Sequence, residues 1–500
     1  MKLSNARGLR ARSSRVVLGV LGAAAALTTS GEALAVRQPD RVPGVLFGGR
    51  VGPPPPKPPV EWSPNLPTGT PRIEPARPSG IARQCSSRRP VCVHAAPDDP
   101  LLGPALAALE QAWDRVLLVQ QLPTPLSDGV LGGDSRLDWY LTPQLGPQAA
   151  QAKEAVLGVL PDEQDVEPRD FAPVFEVFAD APLHGVFDRA SGYCQSHGAW
   201  VGALERQAAL CVAELSLMRL DAGEGAFTRR AIATQLWWTL GAPTDMDVEA
   251  IDDFQRHPER ALGGGALRRH AEGVGLFYEY LDEVYGVSRW GVLPTQMYSL
   301  AASLTEGEGW LYQNEPDVFD VLRHTFEEDA SAVADVLGSF TLARSLLGDR
   351  SDGSHFARLG WVGSFGRVRF DWAFRYSELP RHVGAWRPIE PTGAAFVFLA
   401  LDELPKLPEL GLRALWEEPV SFKWGAMLLD AEGRFKHHVQ VAFQPRVTRS
   451  ERTLPLDVRP GESLVIYGVS SGGVSELHPF DPDVTPFEPH EYALYLVDVE

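Results

Sequence analysis

The chain is 500 residues long, carries a formal net charge of −19 and is 44% hydrophobic. Acidity on that scale weighs against nucleic acid and anionic lipid as partners. The length exceeds what one hydrophobic core usually organises, so at least two packed units are expected.

At the start of the chain, Lys2, Arg7, Arg10, Arg12 and Arg15 precede an apolar run from Val16 to Leu27, and Ala33, Leu34 and Ala35 follow it. That order of charge, apolar core and small residues reads as a secretory signal peptide over residues 1–35, with an apolar part too short to span a bilayer. Its removal takes away five positive charges and one negative, which moves the formal charge from −19 to −23. No later apolar run reaches about 18 residues. The expectation is an exported protein, secreted or periplasmic, with no transmembrane segment.

Residues 36–83 form a Pro-rich linker, since 13 of the 42 prolines fall between residues 36 and 80. Such a run cannot donate backbone hydrogen bonds regularly, so a semi-extended polyproline II spacer is expected. Beyond it lie four cysteines, Cys85, Cys92, Cys194 and Cys211. In an oxidising compartment they read as two disulfides, and proximity favours Cys85 with Cys92 and Cys194 with Cys211 among three connectivities. A zinc site built from all four thiolates is the competing reading, but it wants closer C-x2-C pairs.

The remaining chain divides by texture near residue 362. Upstream, Leu102, Leu106, Leu109, Trp113 and Val116 make one helical stripe behind the cap candidates Asp98 and Asp99. Further helices are predicted around 203–219, 226–240, 266–285 and 329–347. Downstream, alternation predicts strands at 368–374, 395–401, 422–429, 439–443, 463–467 and 492–499, with a hairpin turn over Asp430, Ala431, Glu432 and Gly433. The fold class expected is α+β: a mainly helical domain over 84–362, then an antiparallel β-sandwich over 363–500.

Several pieces of the upstream part resemble, in order, the secreted bacterial zinc metallopeptidases of the zincin group. They are the helix after His94, the run Asp138, Trp139, Tyr140 and Leu141, and the approach Arg230, Ala231, Ile232 and Ala233. The resemblance implies a metal helix at 228–241, with His-Glu-x-x-His over the five residues from position 234. Those positions instead hold Thr234, Gln235, Leu236, Trp237 and Trp238. Two imidazoles one turn apart share a helix face and can grip one zinc ion, with the Glu as general base. Thr and Gln are poor zinc ligands, Gln is no base at neutral pH, and an indole offers a metal no lone pair. The segment around Glu272 is similar to the one that supplies a third ligand in such enzymes. The resemblance therefore implies a degenerate, catalytically silent member with a remnant cleft lined by Thr234, Gln235, Trp238 and Glu272. The bland alternatives are an ordinary buried helix and, for Glu272, a solvated carboxylate favoured by the helix dipole.

No other metal site is expected, and no cofactor. None of the 12 histidines forms an H-E-x-x-H or H-x3-H pair, and His437 and His438 diverge on a strand. Calcium at Asp245, Asp247, Asp252 and Asp253, or at Asp481 and Asp483, competes with the reading of solvated acidic turns. The G-x-S-x-G around Ser470 reads as a β-turn because Pro479 and Pro482 forbid a following helix, and Gly133 to Leu137 is discounted as an esterase box. The leading expectation is an exported, non-catalytic protein that binds protein or polysaccharide. The alternatives are a secreted hydrolase using Ser470 with His478 or His490, and a structural envelope protein; oligomeric state stays open.

Overall fold

The computed structural model describes residues 81–120, 122–125, 133–142, 155–157, 193–197, 203–220, 226–241, 243–263, 268–286, 290–300, 318–325, 330–402, 409–417, 420–440, 449–455, 458–473 and 489–498. The expected signal peptide, the linker up to residue 80, Asp481, Asp483 and His478 lie outside them. The fold is α+β: a mixed sheet comes first, a run of helices follows, and two further sheets come last. Among the described residues no helix is long and apolar enough to cross a membrane.

A mixed sheet opens the described chain. Its strands are β1 (Ala82–Cys85), β2 (Val91–Ala95), β3 (Leu137–Thr142), β4 (Ala155–Leu157) and β5 (Tyr193–His197), in the order β1-β2-β3-β5-β4. β2, β3 and β5 run parallel, so a crossover must join β2 to β3. The crossover contains α1 (Leu102–Ala112), which continues as a π-helical turn over Trp113–Val119. Leu106, Leu109, Trp113 and Val116 bury its predicted stripe against Val91, Val93, Leu137 and Trp139. Asp98 and Asp99 do not cap the helix directly. Leu101 is its N-cap, and Asp99 accepts the Leu101 N–H at 2.8 Å. β4 and β5 fall outside the expected elements, because three and five residues carry too little alternation to register.

The helical layer follows, with α2 (Leu204–Leu220), α3 (Ala226–Leu240), α4 (Asp245–Arg256), α5 (Arg268–Tyr285), α6 (Val292–Leu300), α7 (Val318–Thr325) and α8 (Ala330–Ser345). Every residue of α3 from Thr228 to Trp238 is buried, so this helix runs through the interior with neighbours all round. α5 packs along it closely enough that a Cβ on Gly275 would meet the Ala231 carbonyl at 3.1 Å.

Two sheets complete the chain. One joins β11 (Phe435–Gln440), β10 (Val420–Leu429), β13 (Ser463–Gly473), β8 (Ala394–Ala400) and β6 (Trp372–Arg375) in that order. The other joins β12 (Arg449–Pro455), β9 (Glu409–Trp416), β14 (Tyr492–Asp498) and β7 (Arg381–Gly384). Their facing residues, among them Val397, Leu412, Phe422, Ile466 and Leu494, share one core. Pairing is antiparallel except that β6 runs parallel to β8, which departs from the wholly antiparallel expectation. The hairpin turn stands where predicted, with Gly433 at φ 81°.

β10 is buried along all ten of its residues. On one face it meets the second sheet, and on the other Met427 and Leu429 join the helical core that α8 completes. The Lys423 side chain on that face reaches Asp335 of α8 as an ion pair, and its stem fills the space beside Gly338, where a Cβ would meet Cδ at 2.9 Å. Cross-strand pairs set aromatic rings over glycines: Tyr467 covers Gly425 and Trp424 covers Gly468.

Candidate functional site

The four residues singled out from the sequence are all buried: Thr234 and Gln235 are 0% exposed, Glu272 6% and Trp238 8%. They divide between two clusters. Thr234 spends its hydroxyl within its own helix, donating to the Arg230 carbonyl at 2.8 Å. The geometry suits a buried hydroxyl, which must find an acceptor when no water reaches it.

The first cluster centres on Arg206 of α2, 1% exposed. Its Nε donates to Asp247 Oδ1 at 2.9 Å and its Nη2 to Glu272 Oε2 at 2.8 Å. Asp247 also accepts both neighbouring indoles, Trp237 Nε1 at 3.0 Å and Trp238 Nε1 at 3.1 Å, together with the Thr244 N–H and hydroxyl at 2.8 Å each. The Thr244 contacts are those of a capping box at the start of α4, so the residue that begins the helix also anchors the cluster. Burial pushes the Asp247 carboxyl up, but Arg206 and the donors around it outweigh burial and hold it below the ordinary carboxylate value. Arg230 of α3 completes the group, 2.9 Å from Glu214 and 3.7 Å from Glu272. Glu272 is thus an ion-paired core residue and not a solvated carboxylate at a helix start. Trp237 and Trp238 act as donors to a carboxylate where a metal helix would present ligands.

The second cluster forms one helical turn along. Gln235 Nε2 donates to Glu279 Oε2 at 3.1 Å and lies 3.4 Å from Asp282 Oδ2, both on α5. Arg358 clasps the Glu279 carboxylate through Nε and Nη2 and lays its guanidinium 3.9 Å from the Trp290 ring centre. Burial, with Glu279 beside it, pushes Asp282 up to about 6. Asp282 in turn accepts the Gly291 N–H at 2.5 Å. The outer cover of this region is aromatic. Trp361 packs edge-on against Trp238 with centroids 6.3 Å apart, while Trp290, beneath the Arg358 guanidinium, is 37% exposed.

Three of the calcium candidates are otherwise engaged. Asp247 belongs to the Arg206 cluster, Asp252 pairs with Arg256 at 2.8 Å, and Asp253 faces His257 and Arg260. Cys85, Cys92 and Asp134 lie within 4.8 Å of one another, but Cys85 and Cys92 are joined in a disulfide and offer no thiolate. Cys211 is disulfide-bonded too, and the Cys194 side chain falls outside the described ones. Ser470 does not stand in a turn as expected. It lies within β13, wholly buried and paired with Phe422, because the Gly and Ser run continues the sheet beneath aromatic neighbours. A nucleophile elbow needs a strand-to-helix turn, which this segment lacks. His490 instead pairs its backbone with Ile389 and faces Glu417 at 3.3 Å.

No family model matches the chain. No curated protein matches it either. Among solved structures it is similar to the pre-peptidase C-terminal domain of a collagenase from Bacillus anthracis, at 11% identity over 25% of this chain and 93% of that one, with a TM-score of 0.15. A family GH115 4-O-methyl-α-glucuronidase with specificity for decorated arabinogalactans is 10% identical over 73% of this chain and 51% of that one, with a TM-score of 0.14. This chain therefore spans about half of the glucuronidase's length. Scores this low carry no argument about fold or activity.

Arg206 and Asp247 were the residues least visible as a pair in the sequence. Asp247 stands out only as part of an acidic run, and nothing in the spacing of α2 marks Arg206 as its partner. The one available signal is negative: an Arg in the first turn of a helix that faces the core needs a buried carboxylate somewhere.

Proposed function

We propose that the chain is an exported, non-catalytic protein on a degenerate zincin-like scaffold, acting by binding protein or polysaccharide. The observation that carries this reading is the Arg206 guanidinium bridging Asp247 and Glu272, beside Trp238. In the zincin frame Glu272 would be a third metal ligand. Here its carboxylate is neutralised by a fixed cation, and the five residues from 234 to 238 supply neither imidazole nor base. A guanidinium holds its charge permanently and activates no water.

Because the four remnant residues are buried, a ligand meets the neighbouring Trp290 and Trp361 before it meets them. Exposed tryptophan beside an arginine suits either the edge of a protein epitope or the apolar face of a sugar ring. Purified mature protein, assayed for bound zinc, for peptide cleavage and for retention on insoluble polysaccharide or a protein column, tests the proposal. It expects substoichiometric zinc, no cleavage, and retention that Trp290→Ala weakens. Trp386, 60% exposed on the β region, is the internal comparison. Stoichiometric zinc with cleavage sinks the non-catalytic reading, and loss of retention in Trp386→Ala alone moves the binding surface.

A further inference from the structure

The Cys85–Cys92 disulfide lies in a charged setting that bears on its chemistry. The two residues stand directly opposite each other in the β1–β2 hairpin. Cys92 is 0% exposed, while Cys85 is half-buried at the surface end of the pair. Arg83 Nη2 donates to Cys92 Sγ at 3.2 Å, and Arg136 Nη1 lies 3.9 Å from the same sulfur. Both guanidiniums are held there by Asp134, at 2.5 Å from Arg83 and 3.7 Å from Arg136. Gly133, at φ 108°, lets the chain pass Arg83, since a Cβ there would meet its Nη1 at 2.7 Å. Asp138, opposite Cys92 in the β3 register, is engaged by His94 Nε2 at 2.7 Å. The cations therefore sit nearest the buried sulfur, and the two carboxylates are each occupied by a cationic or hydrogen-bonding neighbour.

We propose that this bridge is an exchange site for low-molecular-weight thiols, with Cys85 as the position modified and Cys92 as the leaving group. A thiolate RS⁻ attacks Cys85 Sγ along the exposed side. The new S–S bond joins R to Cys85, the Cys85–Cys92 bond breaks, and its electron pair leaves on Cys92 as a thiolate. The attacking sulfur is oxidised and Cys92 is reduced, so no further oxidant enters. Arg83 stabilises the departing anion, and a better-stabilised leaving thiolate departs faster. Noncovalent ties hold the hairpin meanwhile. The Ser86 N–H donates to the Val91 carbonyl at 2.9 Å, and the Arg88 and Arg89 N–H groups both donate to Ser86 Oγ. The sulfurs stay neighbours, so Cys92 can return and expel RS⁻. Cys211, disulfide-bonded as well, is itself 5% exposed within α2, so its sulfur offers an attacking thiolate less access than Cys85 does.

The test uses the full mature chain with glutathione as the thiol, acid quenching and peptide mapping by mass spectrometry. The expected result is a glutathione adduct on Cys85 with Cys92 free, while Cys211 remains bridged. Arg83→Gln slows formation of that adduct by about tenfold, and Arg83→Lys restores most of the rate. Circular dichroism establishes that each variant is folded. Should Arg83→Gln fail to fold, Arg136→Gln gives the same comparison with a smaller expected effect. An adduct on Cys92, earlier opening of the Cys211 bridge, or equal rates in the arginine variants and the parent would overturn the proposal. None of these outcomes depends on whether the chain binds zinc or a ligand.

Discussion

Replacing Arg206 by Met tests the buried cluster most directly. The substitution keeps most of the stem's volume and removes the charge, leaving Asp247 with its indole and Thr244 donors but no cation, and Glu272 with Arg230 at 3.7 Å. Removing one partner from a buried ionic network costs about 3–5 kcal/mol, because the stranded charge keeps its desolvation penalty. A typical total stability is roughly 5–15 kcal/mol, so the change should be plain in urea unfolding followed by tryptophan fluorescence. Its pH dependence follows from Asp247. A carboxyl held below its unfolded value contributes stability that is present above that value, about 3.9, and is lost as pH falls through the folded one. Loss of Arg206 removes that contribution, so the gap between parent and variant should be widest near neutrality and narrow below about pH 4. Adding Asp247→Asn and Glu272→Gln should recover much of the loss, since neutral amides do not require the cation. A single-variant cost below about 1 kcal/mol, or a gap that widens in acid, would refute the reasoning.

Other outcomes are expected as follows. His270 donates from Nε2 to the Ala261 carbonyl at 3.1 Å, and burial pushes the ring down to about 3. Unfolded His binds a proton below about 6.5, so His270 should cost the native state roughly 1.4 kcal/mol per pH unit from there down to its folded value. His270→Gln should flatten that acid slope in a pH series of unfolding curves. Asp282 and Asp371, both pushed up to about 6 by burial, act in the opposite direction in parent and variant alike, so the difference isolates His270. Gly425→Ala places a Cβ 2.4 Å from the Tyr467 ring and should destabilise by about 1–3 kcal/mol in thermal melts, with a smaller loss when combined with Tyr467→Leu. Thr234→His, Gln235→Glu and Trp238→His together should still leave the protein without stoichiometric zinc by elemental analysis. Uptake that appears only after Arg206→Met is added would show that this cation keeps a metal out of the site.

α1 was legible because its apolar stripe repeats from Leu102 to Val116, and α2, α3, α5 and α8 because each is a long run free of Pro. β10 and the first half of β13 were legible because their apolar residues run nearly unbroken, whereas Gly468 to Gly473 of β13 read as a turn because Gly and Ser carry no strand pattern. β7, β9 and β12 were not. β7 is only four residues long and β9 begins with Glu409, while Arg449, Glu451 and Arg452 of β12 hide its alternation. The cluster around Arg206 was illegible for a deeper reason. Its members come from α2, α3, α4 and α5, and the sequence distance from Arg206 to Glu272 is 66 residues. Local periodicity says which way a helix faces, but a buried charge on one declares nothing about which distant carboxylate meets it. Trp237 and Trp238 were read for what they cannot offer a metal, whereas their N–H groups are what the fold uses.

The contact of α8 with β10 has a consequence for how this chain can diverge. Gly338 is small because the Lys423 stem lies across it, and Lys423 lies there because Asp335 waits one turn earlier on the same helix. A bulkier residue at 338 demands a shorter one at 423, and loss of the amine orphans the acid at 335. The β region could not be traded for another module, as cassette-like tails are, without rewriting those three positions together.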